Sequence, residues 1–185
     1  HLILKQLFDD CYPELMAMLE TDREEQLNWA RSIQDWRFRL IEPWRGLFKT
    51  LGRSREFQEI QVKAADQFYQ AALKLCQNYG VKSERAVALM FDIKVQNGSI
   101  SHLVKAQIAQ DFRKLEIASD HNADRSEAER LRIIANRRAE AANPRWIEDV
   151  RMRKLAIANG EGMVHGNYYN LAEQFGISLR AFTDF

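Results

Sequence analysis

The sequence has few of the residues that interrupt a regular chain. Of its 185 residues, only eight are glycine, three are proline and two are cysteine. This scarcity excludes a collagen-like or low-complexity chain and favours helices. No apolar run approaches the ~18 residues that a membrane-spanning helix requires, and the first residues lack the basic leader and cleavage site of a signal peptide.

The sequence also has no large excess of positive or negative charge, since the formal net charge is only +1. No global field therefore favours a nucleic acid or an acidic lipid, and we expect no nucleic-acid partner. Locally, the stretch from Arg125 to Lys154 carries nine basic and five acidic residues, a net charge of +4. Interleaved glutamates favour a solvated, salt-bridged helix surface there, with binding to an anionic polymer as the alternative.

Motifs for metals and cofactors are absent as well. Cys11 and Cys76 belong to no CxxC or zinc spacing, and the four histidines show no ligand spacing. We expect both cysteines to be buried small apolar residues, with a disulfide or a reactive pair as the alternative. Because no GxSxG, P-loop or GxGxxG motif occurs, we expect neither a metal nor a cofactor.

Apolar residues at helical spacing are present along most of the chain, and they predict a mainly α protein with a single domain, residues 1–185. Ser54 caps the longest predicted helix, which ends at Tyr79 and whose length suggests a central position. Its apolar residues form a continuous stripe, which contains Phe57, Ile60, Ala64, Phe68, Ala71, Ala72, Leu75 and Cys76. Near the start, Pro13 divides one stripe into two short helices, and the spacing from Thr21 to Glu24 is that of a capping box. Further helices are predicted from Ser83 to Asn97, His102 to Leu115, Ser126 to Ala142 and Pro144 to Asn159.

The two ends of the chain are less regular. The tail from Glu161 to Phe185 predicts a loop followed by a short helix around Leu171 to Phe175. Because helical spacing begins at the first residues without a cap, we expect the chain to start partway through a larger structure.

Four aromatic residues lie close together in sequence, namely Trp29, Trp36, Phe38 and Trp44. Aromatic side chains bury large apolar areas, so these residues are candidates for the core. The alternative is a sugar subsite in which the rings stack on a glycan.

Asp92 is the one acid in the mainly apolar stretch from Val87 to Val95 of the helix predicted from Ser83 to Asn97. A buried carboxylate is costly unless a cation or strong donors meet it. Arg151 is our candidate partner, because a planar guanidinium offers bidentate geometry. The pair would either tie two helices together or orient an active-site acid and adjust its pKa.

Several segments together resemble the family 46 chitosanases, in both order and spacing. The segments are Phe57-Gln58-Glu59-Ile60-Gln61, Phe68-Tyr69-Gln70-Ala71-Ala72, Gly80-Val81-Lys82-Ser83, Met90 to Gly98 and Asp149-Val150-Arg151. The sequence is still more similar to bacterial proteins labelled peptidoglycan-binding, through the run from Asn136 to Phe175.

The resemblance implies the large C-terminal part of a lysozyme-like fold with a two-lobed cleft. It also implies hydrolysis of a β-1,4-linked amino-sugar polymer, chitosan or peptidoglycan, by two carboxylic acids with inversion. The general acid is expected upstream of residue 1, so the partners would be a polysaccharide and a segment or chain that completes the cleft. Asp92, Arg151 and Asn97 match the positions that support the acid pair. An extracellular or cell-wall location follows if the hydrolase interpretation holds.

The segment from Gly160 to Tyr169 is the candidate rim of this cleft. His165, Tyr168 and Tyr169 are the proposed sugar contacts, because sugars present apolar faces for stacking and hydroxyls for hydrogen bonds. The alternative is a tail that only packs against the core. For the whole chain, the alternative to a hydrolase is a non-catalytic helical module that binds cell-wall glycan or a protein partner.

Overall fold

The computed structural model describes residues 2–118 and 123–183, and these are mainly helical, which confirms the predicted fold class. The helices are α1 (Leu2–Phe8), α2 (Tyr12–Leu19), α3 (Arg23–Ser32), α4 (Trp44–Arg53), α5 (Arg55–Tyr79), α6 (Glu84–Asn97), α7 (His102–Ala118), α8 (Ala123–Glu140), α9 (Ile147–Asn159) and α10 (Leu171–Phe175). Short 3₁₀ turns occupy Asp9–Cys11 and Pro144–Trp146, and two strands follow α9, β1 (Glu161–Val164) and β2 (Asn167–Asn170).

Local capping chemistry explains several helix boundaries. Ser83 caps α6 by accepting a hydrogen bond from the Ala86 backbone, and Pro13 lies in the first turn of α2, after the break that it was predicted to cause. The helix cap predicted at Thr21 lies one residue before the observed cap. Asp22 caps α3 by accepting from Glu25, whereas the Thr21 hydroxyl donates to the Met18 carbonyl.

The chain divides into two compact units, residues 1–64 and 65–185. The single-domain organisation stays a prediction, because two compact units can belong to one domain. Unit 1 has an apolar core of five buried residues, Phe8, Leu15, Ile33, Trp44 and Leu51. In unit 2, the core centres on α6, whose Leu89, Met90 and Ile93 are fully buried.

The middle of α5 corrects the prediction of a continuous buried stripe on a central helix. Phe57 packs with the core of unit 1, and Ala72 and Cys76 are fully buried in unit 2. Between them, Ile60 is 64% exposed and Val62 is 72% exposed. Both residues are close in sequence to residue 64, where unit 1 ends, and neither belongs to an apolar core.

Two of the four aromatic residues predicted to lie in the core are exposed instead. Trp44 is buried and Trp29 packs against it, as predicted, but Trp36 and Phe38 are 80% and 86% exposed. The reason is a tight turn around Asp35, whose carboxylate accepts hydrogen bonds from the Arg37 and Arg39 backbone N–H groups. This turn directs both rings into solvent.

The two cysteines are free thiols. Cys76 is buried as predicted, and burial raises the pKa of its thiol to about 12. Cys11 is only half-buried.

The basic stretch forms the salt-bridged surface that its glutamates predicted. Arg130 pairs with Glu116, Arg132 with Glu129, and Arg137 with both Asp111 and Glu140.

The segment after α10 is held against the N-terminus of α6. The Arg180 carbonyl accepts from the Glu84 backbone and the Ser178 carbonyl from the Arg85 backbone, so two helix N–H groups without an intrahelical partner are satisfied. The Phe182 backbone donates to the Lys82 carbonyl. The Glu84 carboxylate in turn accepts from the Ser178 backbone at 2.9 Å and from Arg180 Nε at 3.0 Å.

Candidate functional site

Asp92 lies in the core-facing part of α6, and its side chain is 6% exposed. Arg153 Nε donates to Asp92 Oδ1 at 2.6 Å, and Lys154 Nζ donates to Oδ2 at 2.6 Å. Lys154 Nζ also donates to Gln96 Oε1 at 2.9 Å. Each carboxylate oxygen therefore meets a cationic donor from α9, and the predicted need of Asp92 for a partner is confirmed.

The predicted partner, Arg151, is wrong. Arg151 forms an ion pair with Glu148 one turn earlier on α9, near the surface. The inward stripe of α9 contains Val150, Lys154 and Ala158, all buried and spaced by four residues, so lysine rather than Arg151 reaches Asp92. The preference for bidentate arginine misled the prediction, whereas this four-residue spacing was the signal in the sequence that identifies Lys154.

Lys154 is completely buried, which is unusual for a lysine. Burial lowers the pKa of its ammonium group, and the hydrogen bond that this group donates to Asp92 opposes that shift. The positive charges of Arg153 and Arg138 lower the pKa further. The Asp92 carboxylate thus stabilises the fully buried Lys154 ammonium group in the presence of two other cations, Arg153 and Arg138. This group of charges depends on Asp92.

Two of the polar atoms that have no hydrogen-bond partner among the described residues lie on the neighbour of Gln96 in sequence and on an arginine whose charge acts on Lys154. They are Asn97 Oδ1 and Arg138 Nε, both buried. Burial also lowers the pKa of Arg138. Of the three residues expected to support the site, only Asp92 belongs to this network, and its amide comes from Gln96.

A two-stranded antiparallel hairpin follows α9, where the sequence predicted a loop. Glu161 pairs with Asn170, Gly162 with Tyr169, Met163 with Tyr168 and Val164 with Asn167. The connecting residues His165 and Gly166 have φ values of +50° and +79°, which suit a two-residue hairpin turn of type I′. Four-residue strands containing glycine and asparagine give little β signal, so the prediction missed them. The predicted short helix α10 is confirmed.

The hairpin separates the two candidate tyrosines. Met163 and Tyr168 lie side by side on its outer face and are 52% and 54% exposed. Tyr169 belongs to the opposite face and is half-buried. A ligand that stacks on the ring of Tyr168 therefore cannot also stack on the ring of Tyr169.

Hydrogen bonding fixes the outer face of the hairpin. The Tyr168 hydroxyl donates to Glu161 Oε2 at 2.6 Å, and this bond raises the pKa of the tyrosine. His165 Nε2 lies 3.4 Å from Asp149 Oδ1 on the first turn of α9. An exposed aromatic ring is thus accompanied by two carboxylates and an imidazole.

Close approach of glycine to α9 sets the position of the hairpin. A Cβ atom at Gly162 would lie 2.9 Å from the Cβ and 3.1 Å from the Cα of Ala156. At Gly160, which ends α9 with φ +84°, a Cβ atom would lie 2.5 Å from the Arg85 guanidinium carbon. Arg85 Nη1 donates to the Asn159 carbonyl at 2.9 Å. The hairpin therefore packs against α9, the helix that also carries the partners of Asp92.

Replacing Gly162 with valine is expected to lower the free energy of unfolding by about 1–3 kcal/mol, because the new side chain overpacks the contact with Ala156. Chemical denaturation followed by circular dichroism measures the change. Gly52→Ala is the control, since a Cβ there meets nothing within 4 Å in α4. Alanine should raise stability there by up to about 1 kcal/mol. A Gly162→Val protein as stable as the wild type would contradict the observed packing.

No group of three or more His, Cys, Asp or Glu side chains within residues 2–118 and 123–183 is placed to hold a metal ion. Over the same residues, no helix is long and apolar enough to cross a membrane. Comparison of the chain with protein-family models, with curated proteins and with solved structures gives no significant match.

Proposed function

We propose that this chain is a lysozyme-like, glycoside hydrolase-like domain that binds a β-1,4-linked amino-sugar polymer of the cell wall through the outer face of the β1–β2 hairpin. The observation that carries the proposal is the exposed ring of Tyr168, held by Glu161 and flanked by Met163. The resemblance to the family 46 chitosanases supplies the class of polymer.

The chemistry of this face suits a sugar. A pyranose ring offers apolar C–H faces that stack on an aromatic ring, and Tyr168 presents such a ring in a fixed position. Glu161, beside Tyr168, has oxygens that accept from sugar hydroxyls, amides or the ammonium groups of glucosamine. His165, at 66% side-chain exposure, adds a further polar group at the turn, close to Asp149.

The Asp92 network supports this surface from inside unit 2. Both oxygens of Asp92 are bound by cations from α9, so Asp92 is placed to hold that helix and not to exchange a proton with a substrate. The hairpin packs on the same helix through Gly162. The proposal therefore assigns polymer binding to the hairpin and positioning to Asp92, an arrangement that serves a hydrolase or a non-catalytic glycan-binding module.

Sedimentation with insoluble chitosan and with peptidoglycan tests the proposal. Tyr168→Ala should weaken binding about tenfold, equivalent to ~1.4 kcal/mol, because the stacking ring is lost. His165→Ala should weaken it less. The melting temperature of both variants should stay unchanged, since both side chains are largely exposed.

Phe175→Ala is the matched control, because Phe175 is a 60% exposed aromatic residue of α10 outside the hairpin. Equal binding by the Tyr168→Ala protein and the wild type would contradict the proposal. Release of reducing ends that Asp92→Asn abolishes without a loss of binding or folding would contradict the positioning role of Asp92.

A further inference from the structure

The turn between α3 and α4 presents an aromatic and basic surface that the proposed function does not use. We call residues 36–39, Trp36-Arg37-Phe38-Arg39, the aromatic–arginine tip. We propose that the aromatic–arginine tip binds the surface of a bilayer containing anionic phospholipid, with Trp36 and Phe38 entering the headgroup region and the two arginines contacting lipid phosphates.

The backbone of this turn is held in one conformation. Gln34 and Leu40 form an antiparallel bridge at its base, and the Asp35 backbone donates to the Arg39 carbonyl at 2.8 Å. Asp35 Oδ1 accepts from the Arg37 backbone at 2.8 Å and from the Arg39 backbone at 2.9 Å. The tip is therefore organised before any partner arrives, which reduces the entropy lost on binding.

The two rings are the most exposed aromatic side chains among the described residues. Phe38 also has a φ of +58°, a left-handed conformation that bulky side chains rarely adopt. Strained backbone that persists because its surroundings enforce it is common at binding sites. Here Asp35 enforces it, and the result is an outward-facing phenylalanine that contributes nothing to a core.

The charges of the tip select an anionic surface. Arg37 and Arg39 are both exposed, and the Arg37 guanidinium carbon lies 4.4 Å from the centre of the Trp36 ring. Of the two acids between α3 and α4, Asp35 already accepts two backbone hydrogen bonds and Glu42 is paired with Arg45. A cationic polymer such as chitosan would be repelled by these arginines. Tryptophan at headgroup depth beside arginine on phosphate is instead a favourable arrangement at an anionic bilayer.

Sedimentation of the purified chain with phospholipid vesicles at low salt tests this inference. Vesicles of phosphatidylcholine with one-third phosphatidylglycerol should bind the chain, and vesicles of phosphatidylcholine alone should bind it at least tenfold more weakly. Arg37→Gln and Arg39→Gln should each weaken binding about fivefold, because each basic residue near such a surface contributes about that factor. Trp36→Ala with Phe38→Ala should weaken binding more than tenfold.

Trp146→Ala is the matched control and should bind like the wild type, since Trp146 is 51% exposed, lies 4.9 Å from the Arg145 guanidinium carbon and is far from the tip in sequence. Melting temperatures of all variants should match that of the wild type. Equal binding to neutral vesicles, unchanged binding of the Trp36→Ala/Phe38→Ala protein, or no binding to anionic vesicles would overturn the inference. The last outcome would favour a protein partner. Glycan binding through the hairpin is measured separately, so failure of either proposal leaves the other standing.

Discussion

Replacing Asp92 with asparagine is expected to lower the free energy of unfolding by about 3–5 kcal/mol, because the change leaves the fully buried Lys154 without its counter-charge. The ammonium group would face the positive charges of Arg153 and Arg138 with only neutral amide oxygens, that of Gln96 and that of the new side chain, as acceptors. Urea denaturation followed by circular dichroism measures the loss.

The pH dependence of the Asp92→Asn protein gives a second measurement. Burial already lowers the pKa of Lys154 below its ordinary value of 10.5, and loss of Asp92 should lower it further. The unfolded chain then binds more protons than the folded chain between the two pKa values, so stability rises with pH in that window. The deficit against the wild type should therefore shrink as the pH rises from the lower Lys154 pKa of the variant to the Lys154 pKa of the wild type, and stay constant above that.

Two control variants separate the charge effect from simple packing. Glu148→Gln breaks the surface pair with Arg151 and should change stability by at most about 1 kcal/mol, because Glu148 is 72% exposed. Asp92→Asn combined with Lys154→Met removes the uncompensated cation and should recover most of the loss. A double variant as unstable as Asp92→Asn alone would show that the charge is not the cause.

Trp44→Ala is expected to lower the stability of unit 1 by about 3–5 kcal/mol, because Trp44 is 5% exposed and stands at the centre of an aromatic cluster. Its ring centroid lies 6.2 Å from that of Phe8, 5.0 Å from that of Trp29 and 6.0 Å from that of Phe48. Alanine would leave a cavity that these rings fill only in part.

The matched control for Trp44→Ala is Trp36→Ala, which removes the same side chain from an 80% exposed position. It should change stability by less than about 0.5 kcal/mol. Near-ultraviolet circular dichroism and hydrogen exchange of residues 1–64 measure unit 1 directly, so that a separate transition of unit 2 does not obscure the result. Equal losses in the two variants would contradict the assignment of core and surface.

The helices were predictable because their signals are local. Ser54 and Gly80 bracket α5, and Ser83 caps α6, so boundaries followed from capping chemistry. The burial of Asp92 was also predictable, since the residues around it in α6 are apolar. Its partner Lys154 could have been inferred from the spacing of Val150, Lys154 and Ala158 along α9. The contact with Arg153 could not, because it depends on how α9 is rotated against α6, which packing determines.

Surface features were the least predictable. Apolar character suggested burial for Trp36, Phe38 and Ile60, but the number of apolar residues in a chain does not fix which of them reach a core. The Asp35 turn exposes two of them through backbone hydrogen bonds that residue composition does not reveal. The hairpin likewise depends on contact between Gly162 and α9, and the β propensity of its own residues does not predict such a contact.

The contacts between the segment after α10 and the start of α6 determine which unit can complete its fold first during synthesis. The Glu84–Arg180 contact joins residues 96 positions apart, and the Phe182 backbone reaches back to Lys82. Unit 1 contains only residues from the first 64, so its contacts are available early as the chain emerges from the ribosome. In α6, the helix that carries Asp92, the N–H groups of Glu84 and Arg85 in contrast have no protein acceptor until residue 180 has been made, so unit 2 completes its fold only after that point.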